Sequence, residues 1–195
     1  MFLLANLDRG LKPLHVVLAN VVAVAWFITV SVEARLALPS AALVRCPMGF
    51  CAGGYSPEEL YSMLDEIGVE GRTFLYDTML RSDLVLPALF LIALVFDIVW
   101  FSRAGARFSV PLDPIARLAL IAVPVLYCVA DYMENVALAE TLRLYPAIED
   151  VMAERLSTLT AAKSQLFAAA AGIAAALAIA ACGLGVRSGP RPPAE

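Results

Sequence analysis

The chain has 195 residues, of which 61% are hydrophobic and 16% charged, with a mean hydropathy of +0.79 and a formal charge of -4. Those values exclude an ordinary soluble domain and indicate an all-α integral membrane protein, expected as one four-helix membrane domain over residues 1–186. The twelve Arg and two Lys are scattered, which excludes a basic stripe able to follow a nucleic acid backbone.

Four stretches are apolar over the roughly 20 residues that a membrane helix needs: about 13–32, 84–101, 115–138 and 164–186. The first, from Pro13 to Val32, is too long for the core of a secretory signal, and Glu33-Ala34-Arg35 is a poor cleavage site, so it reads as an uncleaved anchor. Between the first two spans lies a loop, 36–83, with helical signals of its own. Ser56-Pro57-Glu58-Glu59 is a capping box with Pro at the first helical position, and it opens an amphipathic run carrying Leu60, Leu64 and Ile67 that stops at Gly68. A second helical stretch starts near Gly71 and feeds the second span. Together the two are expected to lie on the membrane surface as a lid.

Pro87 and Pro124 fall inside the second and third spans, where proline kinks a helix. Asp113-Pro114 is expected to cap the third span and Pro146 to end it. The fourth span is rich in Ala, which suits close helix approach, so it is expected either to pack tightly or to form a homodimer or partner face. The Pro-rich tail, 187–195, is expected to be disordered and cytoplasmic. Arg9, Lys12, Arg103, Arg107, Arg117, Arg187 and Arg191 flank span ends in short segments on one side. That bias favours both termini in the cytoplasm of a bacterial inner membrane, with the 36–83 loop outside.

The third span carries Asp131, Glu134 and Asn135 at helical spacings that share one face. Ionisable groups in hydrocarbon are costly and need partners. Counting from Leu118, Asp131 lies roughly 20 Å along the helix, in the outer half of the membrane. Asp83, Lys163, Thr160 and the loop residues Arg72, Arg81 and Tyr76 are expected at the same level, with Lys163 as counter-ion. Two carboxylates one turn apart beside a cation suit general acid and base work, with Glu134 the proton carrier and Asp131 the orienting member. Asn135, Lys163, Asp83, Arg72, Tyr76 and Tyr127 complete the expected ligand-binding set. A structural polar knot is the plain alternative. Asp97, nearer the cytoplasmic side, is expected to pair with His15 or Asn20.

His15 is the only histidine, which excludes a His-rich metal centre, and no cofactor is expected. Cys46 and Cys51 in the outer loop are expected to form a structural disulfide. Their spacing departs from the C-x-x-C of four-helix thiol oxidoreductases, and Cys128 and Cys182 lie apart from them.

Gly68-x-x-Gly71-Arg72-x-x-x-Tyr76, Asp83-x-x-x-Pro87, Asp131-x-x-Glu134-Asn135 and Thr160-x-x-Lys163, in that order, resemble a family of four-span bacterial membrane proteins. The resemblance covers the chain from the outer loop onward and implies no activity. In plan alone the chain is also similar to the emopamil-binding and sigma-2 type of four-helix protein, with no motif in common. The reading favoured by the residues is a polar pocket for a membrane lipid or other amphiphile, with acid-base chemistry on it as an extension. A structural or assembly subunit, a thiol oxidoreductase and a proton-coupled carrier are the alternatives.

Overall fold

The computed structural model describes residues 10–39, 51–106 and 112–187, and among these every regular element is helical. The elements are α1 (Pro13–Ala37), α2 (Pro57–Glu66), α3 (Gly68–Phe74), a π-helical turn (Leu75–Met79), α4 (Leu80–Asp83), α5 (Leu86–Ala106), α6 (Pro114–Leu144) and α7 (Asp150–Arg187). Four helical segments, built on α1, α5, α6 and α7, are long and apolar enough to span a membrane. The expected tail, 187–195, lies beyond residue 187 and so outside the described residues.

The helix signals act where the local chemistry places them. Pro13 stands at the first turn of α1, and the Ser56 hydroxyl accepts from Glu59 N at 3.2 Å while the Glu59 carboxylate accepts from Ser56 N at 2.8 Å. Two orphan amides of α2 are thereby satisfied. Asp113 is the N-cap of α6, but its side chain makes no capping hydrogen bond; α6 ends at Leu144, just before Pro146. α7 begins at Asp150 rather than near residue 164. Hydropathy stops at Glu154 and Arg155, but those side chains point outward while Ala153, Leu156 and Thr160 are buried on the opposite face. Amphipathic spacing thus continues the helix past the point where the apolar run fails.

Pro87 lies inside the apolar helical segment Gly68–Arg103, and the helix is interrupted just before it. Turn residues Leu84 and Val85 separate α4 from α5, and Pro87 sits in the first turn of α5, where its missing N–H has no intrahelical partner to lose. The break frees carbonyls, and Trp26 Nε1 donates to Ser82 O at 3.1 Å while Tyr132 Oη donates to Leu84 O at 2.9 Å. Backbone groups at such a break must find partners when water is scarce.

α6 and α7 share the most extensive helix contact, and α5 touches α1, α6 and α7. Buried alanines, Ala170 and Ala174, bring α7 close to Leu94 of α5. The outward faces of the long helices are apolar, with Leu14, Val21, Ile28, Val129, Val136 and Ile179 all exposed. So large an exposed apolar surface suits contact with lipid or another protein. α2 packs on α7, and Leu60, Leu64 and Ile67 join Ala137, Ala153, Leu156 and Ile148 in one cluster. The lid expected from the loop sequence is therefore fastened to the same ends of α6 and α7 that carry the polar residues.

Candidate functional site

α6 and α7 lie side by side so that one face of each is closed by the other. Asp131, Glu134 and Asn135 on α6 meet Thr160 and Lys163 on α7, and all five are at most 5% exposed. Lys163 Nζ lies 3.0 Å from Asp131 Oδ1 and forms a second ion pair with Glu134. Thr160 donates to Glu134 Oε1 at 2.5 Å. The expected counter-ion is thus in place, and it is shared by two carboxylates one turn apart. Asp83, at the end of α4, completes the cluster: it feels the charges of Lys163, Asp131 and Glu134, with Asn135 beside it.

The polar groups stand at one end of a cavity of about 160 Å³. Asp83, Glu134, Asn135, Thr160 and Lys163 supply that end, and Leu60, Leu64 and Ile67 of α2 with Leu75 and Met79 of the π-helical turn supply apolar walls. Asp131 is outside this lining. It faces a second cavity, of about 30 Å³, on the other side of Lys163, where Asp83 and Met79 again contribute. Lys163, Asp83 and Met79 therefore form the partition between the two. The extra residue per turn of a π-helix is a feature that recurs at functional sites, and here it carries Met79 into the partition.

Tyr55, which sequence reasoning passed over, also lines the cavity. Its N–H donates to Ser157 Oγ at 2.8 Å, and its hydroxyl is 3.3 Å from Thr160 Oγ1. With the Thr160 proton given to Glu134, Tyr55 is the donor, so a relay runs from Tyr55 through Thr160 to the carboxylate. Burial pushes the Tyr55 phenol up to about 12, which keeps it protonated and able to donate. The sequence signal was Gly53-Gly54 ahead of it. Gly54 has φ +71, and a Cβ there would stand 2.6 Å from Ser157 Oγ. Gly54→Ala is therefore expected to cost about 1–3 kcal/mol of stability and to weaken the Tyr55–Thr160 contact. Thermal unfolding of the purified variant checks this, and an unchanged midpoint would remove the anchoring role given to the segment.

Three expected site residues, Arg72, Tyr76 and Tyr127, line neither cavity. The Arg72 guanidinium donates to Leu64 O and lies 4.2 Å from the centre of the Tyr145 ring, so it ties α3 to the end of α6. Tyr76 is 41% exposed, and neither residue is among those lining either cavity. The helical rotation that turns Leu75 and Met79 inward turns Tyr76 outward, whereas Arg72 is half-buried in its contact with Leu64 and Tyr145. Tyr127 is fully buried, its ring packed on Phe90 and Phe167, and its hydroxyl faces Asp131 without reaching hydrogen-bond geometry. Asp97 accepts from Asn20 Nδ2 at 2.9 Å, the expected structural pairing, while His15 stays with the N-terminal turn of α1.

Cys51 is disulfide-bonded, while Cys128 and Cys182 are free thiols. Cys46, the expected partner of Cys51, lies outside the described residues. Gln165 Nε2 donates to Ala52 O at 3.0 Å, so the segment after Cys51 is held on α7. Among the described residues no group of His, Cys, Asp and Glu could hold a metal ion. No family model, curated protein or solved structure matches the chain.

Proposed function

We propose that the chain is a multi-pass membrane protein that binds a lipid or other amphiphile under the α2–α3 lid. The head group would meet Asp83, Glu134, Asn135 and Lys163, and the first carbons of its chain would rest on Leu60, Leu64, Ile67 and Met79. The single observation that carries this reading is one cavity with polar groups gathered at one end and apolar side chains elsewhere. Such a distribution is what pockets for small molecules share, whereas a purely structural knot would close on itself.

Within that reading Glu134 is the group placed to exchange a proton with a bound head, since it lines the cavity and ends the relay from Tyr55. Asp131, behind Lys163, holds the ammonium in position. Binding is the core of the proposal and acid-base chemistry on the ligand is its extension. The four spans are proposed to form a bundle in a bacterial inner membrane, termini in the cytoplasm and lid outside, which the Arg-flanked span ends support.

The test is mass spectrometry of molecules that co-purify with the protein from mild detergent, comparing the parent with Glu134→Gln. The substitution conserves volume, so the variant is expected to fold and to lose a defined amphiphile that the parent retains. Identical bulk lipid in both samples would favour the assembly-subunit alternative.

A further inference from the structure

The cavity's polar end holds more carboxylate than cation, and an amide donor, Asn135 Nδ2, that stands beside Asp83 short of hydrogen-bond geometry. Three carboxylates, Asp83, Asp131 and Glu134, surround one ammonium, and Lys163 gives its ion pairs to Asp131 and Glu134. Asp83 makes no ion pair within 4 Å among the described residues, which leaves it as a charged acceptor on the cavity wall. Asn135, 5% exposed and lining the same cavity, has an amide Nδ2 with no hydrogen-bond partner among the described residues. A buried donor without a well-formed hydrogen bond is costly, as is a carboxylate in excess of its cations. One ligand head that brings both a cationic donor and a neighbouring acceptor relieves both at once.

Resting on the amphiphile-binding reading, we infer that the pocket selects a head group in which a protonated amine and a hydroxyl or carbonyl oxygen sit on adjacent carbons. The ammonium meets Asp83 and the cavity-facing side of Glu134, and the oxygen accepts from Asn135 Nδ2. An anionic head is disfavoured, because Lys163 is already shared by two carboxylates and the added negative charge would stand against Asp83. A volume of about 160 Å³ compares with the roughly 150 Å³ that admits a benzene ring. It holds such a head with a handful of carbons, and a longer tail would leave through the partly open side.

The experiment measures the unfolding midpoint of the purified protein at pH 7 in mild detergent, titrated with six-carbon probes: 2-aminohexan-1-ol, hexane-1,2-diol, hexylamine and hexanoate. Chain length is constant, so head-group chemistry alone varies. The amino alcohol is expected to stabilise at about tenfold lower concentration than the diol, the gain of one charge-assisted hydrogen bond. Hexylamine should fall between them, and hexanoate should not stabilise. Asp83→Asn should remove the advantage of the amino alcohol over the diol, and Asn135→Leu its advantage over hexylamine. Should either variant fail to fold, the ranking of the four probes on the parent still decides. If the diol equals the amino alcohol, or hexanoate stabilises best, the head-group inference is overturned while amphiphile binding stands. If none of the four probes shifts the midpoint, both readings fall.

Discussion

Lys163→Met is expected to lower stability by about 3–5 kcal/mol, the range for removing one partner of a buried ion pair. Lys163 is 4% exposed and bonds both Asp131, at 2% exposure, and Glu134. Met keeps the length and much of the volume of the lysine stem, so the loss reports charge rather than packing. Unfolding in mild detergent, followed by helical circular dichroism, gives the size of the effect. A sharper check adds Asp131→Asn and Glu134→Gln to Lys163→Met. With the two ion-paired carboxylates neutralised only Asp83 keeps its charge, and a large part of the lost stability should return, because buried pairs replaced as a unit cost little. If Lys163→Met unfolds at the parent's midpoint, the ammonium is not holding the helices together. The cluster would then be hydrated in a way that its burial contradicts.

Leu156→Ala is expected to cost about 2–5 kcal/mol, the usual range for truncating a buried leucine. Leu156 is 1% exposed, lines the cavity, and packs in the cluster that joins Leu60 and Leu64 of the lid to α6 and α7. Two consequences separate this from a generic core defect. Amide exchange should quicken in α2 and α3 before it does in α5, because the lid loses its floor while α5 keeps its own contacts with α1 and α6. Probes that fill the cavity should also recover part of the loss. Uniform acceleration of exchange across all helices would mean that the lid is not an independently loosened unit.

The four apolar helices were legible because lipid-compatible spans are long and compositionally plain, and the capping box at Ser56 is a local device that works whatever surrounds it. Helix spacing alone also placed Asp131, Glu134 and Asn135 on one face, and scarcity of lysine picked out Lys163. Where elements are amphipathic the apolar run misjudged length, as at Asp150–Ser164, since burial there follows one face and not the whole circumference. Arg72 and Tyr76 were expected at the cluster because they share its level along the chain. Which way a lid helix turns its side chains is decided by the surface it packs on, and Ile67, Leu75 and Met79 take the inward positions.

By itself, then, the sequence determined four membrane-length helices, the lid's start, and a charged face on the third span that had to find partners. Those properties depend on residues within a few turns of one another and on the cost of polar groups in hydrocarbon. Tertiary structure alone decided that α6 and α7 face each other so that one lysine serves two carboxylates. It also decided that a break before Pro87 swings Asp83 into the same cluster, and that Tyr55 reaches Thr160 across 105 positions of chain. These placements come from packing between elements remote in sequence, where the relative rotation of two helices, and not any local pattern, sets which side chains share a cavity.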